Sequence, residues 1–214
     1  MEFENERKRM VDEQIISRGI RDKSITDAML KIPRHKFVPE DYREYSYMDG
    51  PLPIGFGQTI SQPYIVALMT ELLEVSEGDK ILEIGTGSGY QAAVLAEIGA
   101  HVYTIEIVKE LSDRAGKVIE ELGYNDVHFL IGDGYEGWSE NSPYDSIIAT
   151  ACPPQIPEPL LDQLKTGGRM VLPVGGDRQE LQLIRKTKKG HEIKDIIPVA
   201  FVPMTGKAHD KTHL

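Results

Sequence analysis

Residues 80–97 read KILEIGTGSGYQAAVLAE. A short apolar run at 81–84 enters the turn Gly85-Thr86-Gly87-Ser88-Gly89, and an apolar helical pattern follows through Ala92, Ala93, Val94, Leu95 and Ala96. Strand, glycine turn and helix in that order make a nucleotide cradle. Glycines let the backbone turn tightly and come close to a ligand. The start of the helix adds N–H groups that no earlier turn can satisfy.

Downstream of the cradle, strand-like runs at 101–107, 127–131, 144–150 and 169–173 alternate with helical patterns at 109–122 and 157–164. The strands are short and mostly apolar, as expected where helices cover both sheet faces. The alternation predicts an α/β fold with a doubly wound, mostly parallel, Rossmann-like sheet. Runs at 180–186 and 193–201 flank Lys188-Lys189-Gly190, with no room for a crossover helix. They are expected to form an antiparallel pair at one end of the sheet.

Upstream, residues 2–18 pattern as a helix capped by Gly19, and residues 22–32 as a second helix stopped by Pro33. Both are expected to form an N-terminal layer covering the sheet or the ligand site. Residues 33–60 are rich in Pro, Gly and aromatics, with only a short helix expected near 40–45. Such a segment often carries binding residues, and its aromatics fit either a small satellite core or ligand contacts. His35 beside Arg34 fits either a carboxylate-positioning pair or structural hydrogen bonds. Ser61-Gln62-Pro63 opens an apolar helical pattern, with Pro63 in the first turn, and the plain reading of Ser61 is an N-cap hydroxyl. One domain over 1–214 is expected: N-terminal helices and a substrate-side loop (1–60), an α/β core (61–175), an antiparallel region (176–206) and a tail (207–214) that includes His209 and His213.

The register of the glycines bears on the ligand. A dinucleotide fingerprint starting at Gly85 needs Gly or Ala at position 90, which is Tyr90. Glu83, just before the turn, disfavours a diphosphate and suits a ligand with a cationic end, as S-adenosylmethionine has. Glu106, at the end of the next strand, can accept both ribose hydroxyls. Asp133, in Gly132-Asp133-Gly134, can receive an adenine amino group or simply form a turn. Ser88 and Tyr90 are candidates for backbone contacts to a methionine portion. No lysine follows the turn as in a phosphate-gripping loop, and no His/Cys/Asp/Glu spacing matches a metal site.

Composition narrows the partners. Formal net charge is -10, with 40% hydrophobic and 27% charged residues. The basic clusters at 7–9 and 186–189 are short, so no nucleic-acid surface is expected. No long apolar span suggests a membrane segment. The start, MEFENERKRM, lacks the apolar core of a signal peptide. With one cysteine, Cys152, the expectation is a cytoplasmic protein.

Further stretches carry a resemblance along nearly the whole chain: AMLKIPRHKFVP (28–39), YMDGPLPIGFGQTISQPYIVALM (47–69), IGDGYEGW (131–138), YDSIIATACPPQIPEPLLDQLKTGGRMVLPVG (144–175) and FVPMTG (201–206). Together with the cradle they resemble the protein-L-isoaspartate (D-aspartate) O-methyltransferase family. The glycine motif is general to methyltransferases, whereas GQTISQP (57–63) is much more specific. The resemblance implies S-adenosylmethionine as methyl donor and the free α-carboxylate of L-isoaspartyl residues in damaged proteins and peptides as acceptor, with no metal. The ester then closes to a succinimide, and hydrolysis returns some normal aspartate. By resemblance Ser61 is the active-site serine, with Thr59 beside it. Glu83, Gly85, Gly87, Glu106, Asp133 and Gly134 match cofactor stretches, and Thr86, Ser88 and Ile107 lie in the same stretches. Ile54, Thr59, Ser61, Val202, Pro203, Met204 and Thr205 are the substrate-side candidates. A monomer is expected.

The implied chemistry is an in-line displacement by a carboxylate already ionised near neutral pH, so alignment and exclusion of water should supply most of the rate. The alternatives are an S-adenosylmethionine-dependent methyltransferase acting on another carboxylate, an NAD-dependent oxidoreductase, and a non-catalytic adenosine-binding protein.

Overall fold

The computed structural model describes residues 3–210; residue 2 of the expected first helix, the side chain of His209, and residues 211–214 with His213 lie outside the described residues. The chain opens with α1 (Glu4–Met10), which continues through a wider π-type stretch, Val11–Ile15, and a tighter turn, Ile16–Arg18. Gly19 ends it in the left-handed region (φ 99°), as expected of a C-cap. Helix α2 (Lys23–Lys31) starts at Asp22, whose side chain accepts the Ser24 N–H, and stops before Pro33.

The main contacts of these helices are with other helices rather than with the strands of the sheet. They pack on α3 (Pro63–Leu73) and α4 (Tyr90–Ile98), forming a third layer. The segment between α2 and α3 is more ordered than expected. Short 3-10 turns at Arg34–Phe37 and Glu40–Tyr45 lead into a hairpin of β1 (Leu52–Gly55) and β2 (Gln58–Ile60), turning at Phe56 and Gly57. Its aromatics form no separate cluster. Phe37 and Tyr47 join the main core, and Tyr45 and Phe56 remain exposed.

Seven strands make the central sheet: β3 (Lys80–Ile84), β4 (His101–Glu106), β5 (Val127–Ile131), β6 (Tyr144–Ala149), β7 (Leu164–Gly175), β8 (Gln179–Thr187) and β9 (Gly190–Val199), in the order β5-β4-β3-β6-β7-β8-β9. The first five run parallel; β8 is antiparallel to both β7 and β9, as the tail pattern predicts. Period-two alternation sends neighbouring residues to opposite faces. Ile81 packs under α3, α4 and α5 (Lys109–Glu121), while Leu82 packs on the other side with Leu160 and Leu161 of α6 (Glu158–Gln163). Each such side chain is worth about 1.5–3 kcal/mol on burial, so the alternation decides strand register. The expected tail contains a short helix, α7 (Lys207–Asp210).

Chain order reverses at β3, which has β4 on one side and β6 on the other. In an open α/β sheet this switch point leaves a crevice beyond the carboxyl ends of the strands. The glycine turn sits there.

Candidate active site

The turn after β3 is built for close approach. Gly85 has φ 92°, and a Cβ on it would lie 2.6 Å from Thr150 Oγ1, so only glycine fits. Thr150, at the end of β6, donates its hydroxyl to the Gly85 carbonyl at 2.5 Å and fastens the turn to the neighbouring strand. Across the crevice, Glu106 is buried and accepts the Gly87 N–H on Oε2 (2.8 Å) and the Val108 N–H on Oε1 (2.9 Å). Each oxygen keeps a second lone pair for a ligand hydroxyl.

A cleft runs over these groups. It is lined by Ile84, Gly85, Gly87, Ile105, Glu106 and Ile107, by Gly134, Thr150 and Ala151, and by Gln58, Thr59, Val202, Pro203, Met204 and Thr205. A second cavity adjoins it, lined by Pro51, Thr59, Ser61, Gln62, Ile65, Thr150 and residues 198–202. Thr59, Thr150 and Val202 belong to both. A third, small chamber, also lined by Thr59 and Thr150, brings Ser61 together with Glu83, Thr86 and Ser88.

Glu83 is the unusual member. It is fully buried opposite Thr104, whose hydroxyl donates to its Oε2 at 2.5 Å; Thr104 in turn contacts the Thr86 hydroxyl at 2.6 Å. Oε1 has no hydrogen-bond partner among the described residues. Burial drives the carboxyl up to about 8, helped by the nearby Glu106 and opposed by the Thr104 bond. A buried carboxyl with an unused oxygen fits the cationic end of a ligand, which would restore its charge.

Ser61 lies between β2 and α3. The N-cap position belongs to Gln62, without a side-chain cap, so the plain reading of Ser61 as an N-cap hydroxyl is not met. Among the described residues its hydroxyl has no hydrogen-bond partner, while its carbonyl accepts Arg34 Nη2 at 2.7 Å. His35 Nδ1 contacts the Tyr47 hydroxyl at 2.8 Å. Both basic residues therefore have structural hydrogen bonds, and neither lines the two cavities.

Two sequence candidates stand apart from the cavities. Asp133 accepts the Tyr135 N–H on Oδ1 and the Lys207 N–H on Oδ2, which shapes the turn; as with Glu106, each oxygen keeps a second lone pair. Ile54 is buried behind the glycine turn; its side chain comes within 3.6 Å of where a Gly87 Cβ would sit. Among the lining residues that sequence reasoning missed are Thr150, Ala151, Pro51, Ile65 and the 198–201 stretch. Position alone could have flagged Thr150, since it follows a strand beside the switch point.

Comparison with known proteins decides the family. The description "Protein-L-isoaspartate(D-aspartate) O-methyltransferase (PCMT)" matches residues 5–209. The chain belongs to this family. The protein-L-isoaspartate O-methyltransferase of Picosynechococcus sp. is 51% identical over 203 residues, covering 95% of this chain and 91% of that one. The one from Dictyoglomus thermophilum is 52% identical over 208 residues, covering 96% and 94%. A solved protein-L-isoaspartate O-methyltransferase superposes with TM-score 0.88 at 33% identity, over 94% of this chain and 67% of that one. A Plasmodium falciparum structure of the same description, in complex with S-adenosyl-L-homocysteine, gives TM-score 0.81 at 27% identity, over 93% and 98%. S-adenosylmethionine is accordingly the methyl donor of this isoaspartate O-methyltransferase. Among the described residues no group of three or more His, Cys, Asp or Glu could hold a metal ion, and no helix is long and apolar enough to cross a membrane.

Proposed function

We infer that this chain methylates the free α-carboxylate of L-isoaspartyl residues, and that the reaction occurs at the wall between the two cavities. The activity follows from family membership. The location rests on one observation: Thr59, Thr150 and Val202 line both the cleft over the glycine turn and the cavity that contains Ser61.

In this reading Gly85, Gly87, Glu106, Ile107 and Gly134 hold the donor's nucleoside, and Glu83, with Thr86 and Ser88, holds its methionine end. S-adenosylmethionine supplies an electrophilic methyl group on a sulfonium that is already a good leaving group. The Ser61 hydroxyl would donate to one carboxylate oxygen of the acceptor and so orient the other toward the donor's methyl group. Thr59 closes the approach beside it. No proton has to move, because the acceptor is ionised near neutral pH. The gain comes from alignment and loss of water. Pro203, Met204 and Thr205, with the hairpin around Ile54, brace the region where an extended peptide is held by its backbone, with its side chains left largely outside. The protein acts as a monomer in the cytoplasm on damaged proteins and peptides.

The test is incubation with labelled S-adenosylmethionine and paired peptides differing only in Asp or isoAsp. Base-labile label on the isoAsp peptide alone is expected. Ser61→Ala should lower turnover at saturating peptide while leaving donor affinity nearly unchanged; full turnover in that variant removes Ser61 from the mechanism.

A further inference from the structure

We propose that Arg34 is a positioning residue for Ser61, holding the active-site loop from below through the Ser61 carbonyl. This rests on the reading of Ser61 as the group that aims the acceptor carboxylate.

Arg34 is fully buried. Its Nε donates to the Ser46 carbonyl and its Nη2 to the Ser61 carbonyl, both at 2.7 Å. The guanidinium lies over the Tyr90 ring, 4.8 Å from its centroid, and Nη1 meets no acceptor among the described residues. The groups that face its charge are Tyr90 and Tyr47, with no carboxylate among them. Burial pulls the guanidinium down to about 10, which leaves it charged at neutral pH. A buried cation without a counter-ion is a poor source of stability, and an apolar residue would fill the same space more cheaply. What an apolar residue lacks is the planar fork, which bonds two carbonyls from different loops at fixed separation.

The neighbouring residue is held in the same manner. Gln62 Nε2 donates to Asp49 Oδ1 at 2.6 Å; Asp49 also pairs with Arg18, which lies over the Tyr64 ring at 5.0 Å. Ser61 and Gln62 are therefore both fastened to the segment before the hairpin and, through Arg18, to the N-terminal layer. Because the Ser61 hydroxyl has no hydrogen-bond partner among the described residues, its direction follows from the backbone of residues 61–62. Arg34 fixes that backbone without touching the substrate cavities.

The experiment compares wild type, Ser61→Ala, Arg34→Met, Arg34→Lys and the two double variants, measuring kcat and KM for an isoaspartyl peptide and Kd for S-adenosylmethionine. Arg34→Met should lower kcat about ten- to hundredfold, as expected of a misplaced reacting group, with donor Kd within about twofold. In the Ser61→Ala background the Arg34 substitutions should cost little more, since the group they aim is gone. Arg34→Lys keeps charge and bulk but not the fork; it should show the same loss and the same non-additivity, and it carries the test if Arg34→Met does not fold. Wild-type kcat in Arg34→Lys overturns the proposal, as does a loss that multiplies fully with that of Ser61→Ala. If Ser61→Ala alone turns over normally, the reading of Ser61 fails first and the role of Arg34 falls with it.

Discussion

The Oε2 atom of Glu106 accepts the Gly87 N–H at 2.8 Å, tying the end of β4 to the glycine turn that follows β3. Its other oxygen accepts the Val108 N–H. Glu106→Gln keeps the shape but sets an amide NH2 against one of two partly buried N–H donors. It should cost about 1–3 kcal/mol of stability, the range for an unsatisfied buried polar group. Donor affinity should fall with it. Denaturant unfolding and donor titration check both; unchanged values would show that the bonds are dispensable.

Glu83 predicts a pH dependence of stability with an unusual sign. Its carboxyl is raised from the ordinary 4.5 to about 8 in the folded chain. The unfolded chain thus releases this proton before the folded one does. Between about pH 4.5 and pH 8 the folded state is progressively disfavoured, by up to about 1.4 kcal/mol per pH unit. Glu83→Gln should flatten this part of the unfolding free-energy curve. In the wild type, donor binding near neutral pH should release a proton, read as a dependence of calorimetric heat on buffer ionisation enthalpy; the Gln variant should show none.

Two glycines should respond in opposite directions to alanine. Gly89 starts α4 at φ 87°, and a Cβ there would lie 2.9 Å from the Ala115 Cβ and 3.3 Å from Ile119 Cδ1. Gly89→Ala combines backbone strain with overpacking and should cost at least about 2 kcal/mol. Gly116, in the middle of α5, has open space around it and no left-handed φ. Gly116→Ala should add about 0.4–1 kcal/mol. Thermal unfolding of the pair is the check, and equal shifts would contradict both arguments.

Gln179 substitutes for a strand at the edge of the second cavity. Its amide donates to the Phe201 carbonyl at 3.1 Å and accepts the Phe201 N–H at 2.6 Å. Gln179→Ala leaves that backbone unpaired and should raise KM for isoaspartyl peptides by about tenfold, the worth of roughly one such interaction. Donor Kd should stay near wild type. A rise in donor Kd of the same size would mean that the variant disturbs the whole switch point.

Much of the sheet was readable because its signals are local. The run 127–131 is β5 to the residue, and the cradle, the crossover helices and the antiparallel end are all present, though β7 starts at Leu164 rather than at 169 and β9 spans Gly190–Val199 rather than 193–201. The β1–β2 hairpin was not readable. Each strand is short, Pro51 and Pro53 disguise the first, and its register shifts between Pro53 and Gly55. The stacking of α1 and α2 on other helices depends on which faces meet, and an amphipathic pattern does not name its partner. For the site, Glu106 and the glycines sit where motif spacing puts them. The commitment of Asp133 to Lys207, 74 residues away, is a long-range fact that no local pattern contains.

The two cavities have three lining residues in common: Thr59, Thr150 and Val202. Enlarging or trimming any of them reshapes both chambers at once. Variation that retunes acceptor choice without disturbing the donor must therefore fall elsewhere, on positions such as Pro51, Ile65 and Pro198 that face only the second cavity. Divergence toward new acceptors has a narrow corridor in this architecture, bordered by three residues that are not free to drift independently.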